Sequence, residues 1–378
     1  MPPPLPRPSR LLIVLPSWIG DTVMATPTLR ALRRALPGAF IGGLMRPGLE
    51  GLLGGTDFFD EVHLDRASGM MGPKRVAAKV RVRRYDAAIL LTNSFSTALT
   101  TRLAGIPRRL GYDRDARGLL LTERLVAPRR REIAPYNRSK TAPNDWAPIP
   151  ACEYYFALAR RFLELLGLDA GAMDAMELRV TEAERAAAEG VLSRLPALRS
   201  PPPALAFLNP GGNDPKKRWP AERFAELADW LIERRGMTVL ISGSPAESDL
   251  TARIASMIPA TRRERAVDLA SVGAGSPIPG LPPLSFLKAV IARCSIMVTN
   301  DTGPRHIAAA LGVPVVTLFG PTDHRWTSIP FDRETIVLAD PTLPDEEVAN
   351  DHPERCAIER VEVASVIAAI ESRFSASG

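Results

Sequence analysis

The chain predicts an α/β protein built from two Rossmann-like halves, and three observations predict it. Short apolar runs alternate with helical segments, the pattern of a parallel sheet. The alternation stops at a proline-rich stretch, Ser193 to Pro203, and then begins again. The length, 378 residues, is too great for one ordinary domain and suits two. The expected division is therefore 1–195 and 196–378.

In the first half, 11–15 (LLIVL) reads as a buried parallel strand. A loop over Pro16 to Gly20 leads into a helix from about Asp21 to Leu36, which Pro37-Gly38 stops. Strands follow at 40–45 and 86–91, the latter leading into a helix over 96–104. The second half repeats the scheme. A strand over 204–208 precedes a helix from about Pro220 to Arg235, proline being suited to a first helical position. Then come a strand at 238–241, a helix at 247–257, a Gly/Pro-rich loop at 271–284 and a helix at 285–292. Strand 296–298, a polar turn, the short helix 307–311 and strand 315–319 form the most regular unit. A last helix, about 359–374, is free to pack on either half. Two such halves suggest a cleft between them.

Composition narrows the class. Hydrophobic content of 46% and charged content of 24% suit a soluble globular protein. No apolar run reaches the ~18 residues of a membrane-spanning helix. The start, MPPPLPRPSR, reads as a disordered or extended tail on a cytosolic protein rather than a secretory signal. The 3 cysteines lack a CxxC pairing and the 4 histidines are scattered, which argues against a disulfide framework or a structural metal. The net charge of +6 is concentrated in the first half. Lys74, Arg75, Lys79, Arg81, Arg83 and Arg84 are followed by arginines at 108, 109, 114, 117, 124 and 129–131. Two readings stand: solvated helix faces, or a surface for an anionic partner such as a phosphorylated glycolipid, an anionic membrane or nucleic acid. No RNA-binding aromatic motif or zinc finger accompanies the charge, so nucleic acid is the weaker of these.

Four strand-to-helix turns carry the candidate chemistry. In an open parallel sheet, ligands sit at the carboxyl ends of the strands, where such turns lie. The turn Thr299-Asn300-Asp301-Thr302-Gly303-Pro304-Arg305-His306 places unpaired N–H groups at a helix start, which attracts phosphate. Asn209 to Pro220 (NPGGNDPKKRWP) combines glycines, which let backbone approach a ligand, with Lys216, Lys217 and Arg218. Ser242 to Glu247 ends in a carboxylate suited either to ribose hydroxyls or to the helix dipole. Asp21, after the first strand, is either a helix cap or a general base taking a proton from a substrate hydroxyl. His306 is either a phosphate donor or a structural histidine. The turn that carries Asp21 is no dinucleotide fingerprint and the turn Asn209–Pro220 no Walker A loop. Asp113-Arg114-Asp115 matches a DxD metal motif, but it sits in an arginine-rich loop rather than after a nucleotide-binding strand.

These segments resemble glycosyltransferase family 9, the ADP-heptose:lipopolysaccharide heptosyltransferases. The resemblance rests on LPSWIGDTVMATPTLRALRRALPG, YDAAILLTNSFSTALTTRLAGIPRRLGY, NPGGNDPKKRWPAERFAELA and VTNDTGPRHIAAALGVPVVTLFGPT, spread in order over nearly the whole chain. It implies the GT-B fold, with the acceptor on the N-terminal half and the nucleotide sugar on the C-terminal half. It implies Asp21 as catalytic base and Lys217 as a donor-phosphate contact. Asp301, Thr302, Gly303 and His306 would form the phosphate loop, and Glu247 the ribose-binding acid. No metal or other cofactor is implied. The implied reaction is an inverting transfer of a heptosyl unit from ADP-heptose to the lipopolysaccharide inner core. The basic N-terminal half would meet the phosphorylated acceptor, at the cytoplasmic face of the inner membrane. Arg305 stands where the family commonly has an apolar residue, and the loop 271–284 is longer than the family pattern. The alternatives are a family 9 transferase using another nucleotide sugar, or a non-catalytic module that binds nucleotide sugar or glycolipid.

Overall fold

The computed structural model describes residues 3–136, 146–198, 204–272 and 283–375. The end of the proline-rich linker, 199–203, and most of the loop expected over 271–284 lie outside these residues. The chain forms two compact units, the first mostly from residues up to Leu178 and the second mostly from Arg179 onward.

The first unit contains β1 (Arg10–Val14), α1 (Ile19–Met24), α2 (Thr26–Ala35), β2 (Phe40–Met45), α3 (Leu49–Leu53) and β3 (Glu61–Leu64). It continues with α4 (Gly72–Arg81), β4 (Ala87–Leu90), α5 (Phe95–Leu103), β5 (Arg108–Tyr112), β6 (Glu123–Leu125) and α6 (Ala151–Leu165). The strands form one six-stranded parallel sheet in the order β3-β2-β1-β4-β5-β6. β1 and β4 lie at its centre, and Leu11 to Val14 and Ala87 to Leu90 are buried, as befits strands covered on both faces. Val76, Ala77 and Val80 of α4 pack on Leu12, Val14, Ala88 and Leu90. The single helix expected over 21–36 is two. Ala25 caps α1, and the second residue of α2 is Pro27, which has no N–H to carry an earlier helix forward.

The N-terminal tail is extended and docked. Leu5 donates its N–H to the Leu165 carbonyl at the end of α6 (2.7 Å), and Arg108 holds the Pro6 carbonyl (2.7 Å).

The second unit contains α7 (Glu182–Leu192), β7 (Leu205–Asn209), α8 (Ala221–Arg235), β8 (Thr238–Ile241), α9 (Ser248–Met257), β9 (Ala266–Asp268) and α10 (Leu269–Val272). It ends with α11 (Pro283–Ile291), β10 (Ile296–Asn300), α12 (Gly303–Ala310), β11 (Val315–Phe319), β12 (Glu334–Leu338) and α13 (Val363–Ser375). Its six parallel strands run β12-β11-β10-β7-β8-β9. Renumbered from β7, this is the same 3-2-1-4-5-6 order as the first sheet, the order of dinucleotide-binding folds. α8 shows why these residues form this helix. Pro220 precedes it, its apolar stripe (Phe224, Leu227, Ala228, Leu231) faces the core, and Gly236 ends it at φ 63°.

Two boundary expectations change. α7, expected in the first half by a division at 195, packs with the second unit. Its Glu184 meets Lys288 of α11 at 3.1 Å in a fully buried ion pair, and a Thr181–Glu184 capping box starts the helix. The C-terminal helix α13, left open between halves, packs through Val366 and Ile370 into the core of the second unit.

Candidate active site

In a sheet of this order the strands reverse direction of succession at one place, between β1 and β4 in the first unit and between β7 and β10 in the second. Loops leave that point toward opposite faces and open a ligand site at the carboxyl edge. All four sequence-selected turns except Ser242–Glu247 lie at these two points.

At the first point, the loop after β1 carries Trp18 and Asp21. Thr22 closes the loop by donating its hydroxyl to the Pro16 and Trp18 carbonyls (3.2 and 2.9 Å). Asp21 lies in the first turn of α1 and is half-buried. Its carboxylate accepts a hydrogen bond from the Tyr155 hydroxyl at 2.8 Å. Tyr155 is buried on α6, where the loss of water and the neighbouring Asp21 charge push its phenol far above the usual range. The adjacent Tyr154 reaches the other loop, after β4, donating to Asn93 Oδ1 at 3.1 Å. Arg117, fully buried, binds the same Asn93 oxygen (3.2 Å) and the Thr92 carbonyl. Successive tyrosines of one helix thus hold both loops, and Tyr154 is stacked on Tyr112 with centroids 3.8 Å apart.

At the second point, two asparagines end the adjacent central strands and stitch their loops together. Asn209 donates to the Thr299 and Thr302 hydroxyls (3.1 and 2.8 Å). Asn300 donates to the Pro210 and Gly211 carbonyls (2.8 and 3.1 Å) and accepts from the Trp219 N–H (3.2 Å). Across this frame Lys217 Nζ meets Asp301 at 3.0 Å. Asp301 also binds Arg305 (3.2 Å), and Arg305 forks onto Glu334 of β12 at 2.6 and 2.9 Å. Thr317 donates to the same Glu334 carboxylate (2.5 Å). Thr302 is the N-cap of α12; Pro304 has no N–H and the Arg305 N–H is bonded to the Thr302 carbonyl (3.2 Å), which leaves Gly303 to supply the N–H of the first turn.

The charges follow from these partners. Burial raises the Asp301 carboxyl, but Arg305 and Lys217 outweigh it and hold Asp301 below its ordinary value. Glu247 is also held low against its own burial. Its oxygens accept from the Ser244 N–H and hydroxyl (2.8 and 2.7 Å) and from the Gly212 N–H (2.7 Å). Glu247 therefore ties the 242–247 loop to the 209–220 loop. A side chain at Gly211 would collide with its carboxylate, which is the close approach that glycine permits. His306 is fully buried, with Nδ1 unbonded, and burial followed by the Arg305 charge pushes its pKa down to about 3. Its ring is neutral near pH 7.

The structure thus gathers Lys217, Asp301, Thr302, Gly303 and His306 at one switch point, braces the adjoining loop with Glu247, and sets Asp21 at the other. Arg305, out of place by the family pattern, has a buried carboxylate waiting for it in Glu334. Sequence reasoning missed Glu334 because nothing near it in the chain marks it. It also missed Tyr155, whose only signal was a pair of tyrosines on an otherwise apolar helix face. The basic first half needs a correction. Arg109, Arg117 and Arg130 are buried and bind backbone carbonyls, so they add nothing to a surface. Lys74, Arg75, Lys79, Arg81, Arg83 and Arg84 remain exposed. In the DxD triplet, Asp113 pairs with Arg124 (3.3 Å) and Asp115 sits in a left-handed turn at φ 54°. Among the described residues no group of three or more His, Cys, Asp or Glu side chains is gathered to hold a metal.

Comparison with known proteins follows this geometry. The model of glycosyltransferase family 9 (heptosyltransferase) matches residues 74–357. Lipopolysaccharide heptosyltransferase 2 of Escherichia coli K12 is 30% identical over 328 residues, 84% of each chain. Its counterpart from Salmonella typhimurium is 29% identical over 332 residues, again 84% of each. The solved structure of E. coli ADP-heptose lps heptosyltransferase II superposes with a TM-score of 0.73 at 25% identity, covering 97% of this chain and 99% of that one.

Proposed function

The chain belongs to glycosyltransferase family 9, and on that premise we propose that it moves a heptosyl unit from ADP-heptose to the lipopolysaccharide inner core. The observation that carries this reading is the second switch point. A lysine held in place by a buried carboxylate lies near a helix start, at the carboxyl edge of the second sheet. Such a site suits a leaving diphosphate.

In the proposed reaction an acceptor hydroxyl oxygen attacks the anomeric carbon as the bond to the ADP phosphate oxygen breaks. One displacement inverts that carbon. Asp21 takes the hydroxyl proton. Lys217 and the Gly303 N–H at the start of α12 stabilise the charge that develops on ADP, a contribution made in the transition state more than in the ground state. Asp301 and Arg305 keep Lys217 in place. Glu247 keeps the glycine loop close and offers its remaining lone pairs to a ribose. His306 presents a neutral ring. Because Lys217 and the helix start supply the positive groups toward the diphosphate, the reading requires no divalent cation.

The reading also includes peripheral contact with the inner membrane. Among the described residues no helix is long and apolar enough to cross a bilayer. Met70 is almost wholly exposed on the loop that leaves the carboxyl end of β3, with Met71 beside it. Arg66, Lys74 and Arg75, also exposed, flank this pair. An apolar tip within a basic collar suits an anionic leaflet. Sedimentation with anionic and neutral vesicles tests it: the pair Met70→Ser, Met71→Ser should lose the anionic-vesicle binding.

Turnover with a panel of ADP-, GDP- and UDP-sugars on truncated lipopolysaccharide tests the function. ADP-heptose should be the preferred donor. Preference for another nucleotide sugar would overturn the donor, and binding without turnover of any of them would overturn the enzyme reading.

A further inference from the structure

The loop after β1 holds an exposed indole that the reaction described above does not use. Trp18 is 64% exposed, and among the described residues its ring meets no other ring and makes no hydrogen bond. We propose that Trp18 is the platform on which a sugar ring of the acceptor stacks. The proposal rests on the reading of the first switch point as the acceptor site.

Lone exposed apolar side chains are ordinary on a protein surface. Trp18 is set apart by its place. It occupies the N-cap of α1, where a serine, threonine or aspartate would hydrogen-bond the open end of the helix, and the indole makes no such bond. The N-cap and the third helical residue are neighbours, as the capping box shows, and in α1 that third residue is Asp21. The loop is also fixed. The Thr22 hydroxyl donates to the Pro16 and Trp18 carbonyls (3.2 and 2.9 Å), so the ring is held out at little further cost in entropy.

The chemistry around the ring suits a sugar better than a diphosphate or a lipid surface. β1 and β4 are paired central strands. The loop after β4 brings Asn93, which accepts from Tyr154 (3.1 Å), and Phe95, 49% exposed, opens α5 behind it. These are apolar rings and neutral hydrogen-bonding groups. Arg117 is buried and bound to the Tyr112 and Thr92 carbonyls and to Asn93, so it offers no grip on a phosphate. A pyranose carries hydroxyls around its edge and C–H groups on its face. An aromatic ring covers the face while side-chain oxygens and amides take the hydroxyls. Met70 and Met71, read above as the tip that meets a leaflet, follow the edge strand β3, whereas Trp18 follows a central strand and adjoins the base.

The test uses the full chain, ADP-heptose and a core oligosaccharide freed of its acyl chains. Trp18→Ala should raise the acceptor KM about 10-fold, the scale of one lost aromatic stacking contact, with kcat and the calorimetric ADP affinity scarcely changed. Trp18→Tyr, which keeps a ring, should recover most of the loss. Adding the oligosaccharide to the parent should change its tryptophan fluorescence, and Trp18→Tyr should abolish that change. An unmoved acceptor KM, or a fluorescence change that survives in Trp18→Tyr, overturns the proposal. A fall in kcat alone also overturns it, since the indole would then only shape the loop around Asp21. Weakened ADP binding would put the nucleotide's base on the ring instead, and a defect confined to lipid-bearing acceptor and anionic vesicles would put the membrane there. If Trp18→Ala does not fold, the fluorescence comparison alone decides. A parent chain that transfers from no nucleotide sugar would overturn the functional reading itself, which separates the two failures.

Discussion

The two switch points share a strand order and differ in what is placed on them. In the first unit the loops carry a carboxylate that accepts from a buried tyrosine hydroxyl, and the arginine nearby is spent on backbone carbonyls and the Asn93 side chain. In the second, a lysine, an aspartate, an arginine and a glutamate run in a continuous chain from the loop after β7 to β12. A carboxylate between two cations is held ionised and serves to aim them. On the reading proposed above, the same fold places the base at one point and aimed positive charge at the other, the division that transfer from a nucleoside diphosphate sugar uses.

The strongest way to break this comparison is at the first point. Asp21→Asn keeps the shape and removes the proton acceptor. It should lower kcat by ~10²–10⁴-fold, the usual worth of a general base, while ADP binding stays at the wild-type level. Steady-state turnover paired with calorimetry reads both, and a variant that turns over normally would make the two points equivalent in chemistry.

A smaller effect is expected at the second point. Lys217→Ala removes one charge-assisted contact of the kind worth ~1.5–3 kcal/mol, so ADP affinity should fall about 10- to 100-fold, with a matching loss in kcat/KM for the donor. Asp301 keeps its bond to Arg305, so thermal melting should scarcely move. Unchanged ADP affinity together with unchanged turnover would remove Lys217 from the donor site.

How much of this was legible in the chain differs between the points. The residues proposed for the second fall in two compact motifs, NPGGNDPKKRWP and TNDTGPRH, each following an apolar strand, and can be picked out together. What escaped was the long-range partner. Glu334 lies 29 residues beyond Arg305, and only the parallel pairing of β11 with β12 brings it home. At the first point Asp21 was legible and Tyr155 was not, since a separation of 134 residues hides the hydrogen bond. The basic first half misled for a related reason. Counting charges cannot distinguish Arg117, which is buried among carbonyls, from the exposed Lys74. Proline-based reading put α7 in the first half, whereas the Glu184–Lys288 pair, again long-range, ties it to α11 in the second unit. Edge strands β3, β6 and β9 are only three or four residues long and gave no periodicity to read.

A third prediction sharpens the electrostatics of the second point through pH. His306 has its pKa pushed from 6.5 to about 3 by burial and Arg305. The unfolded chain therefore binds a proton below pH 6.5 that the folded chain refuses, and stability falls as pH drops from 6.5 toward 3. The steepest slope for one such group is ~1.4 kcal/mol per pH unit. His63, also held low by burial, adds in the same direction. Urea melts at pH 7 and pH 5 should show the loss, and His306→Asn should reduce it. An equal loss in the variant would mean that His306 is not held neutral.

The smallest effect expected is none. A transferase that grips its donor through a divalent cation loses activity on chelation. Here the donor diphosphate is read as held by Lys217 and the Gly303 N–H at the start of α12, whose positive character comes from the peptide dipoles and not from a bound ion. The DxD triplet offers no alternative grip. Asp113 is paired with Arg124, and Asp115 projects from a left-handed turn one residue past Arg114. Activity in EDTA should therefore stay within experimental scatter of the untreated enzyme, and Asp113→Ala should leave ADP affinity unchanged. Loss of activity on chelation, with recovery on adding Mg²⁺ or Mn²⁺, would show that the positive charge at the second point is insufficient alone, and the contrast between the two switch points would no longer account for the reaction.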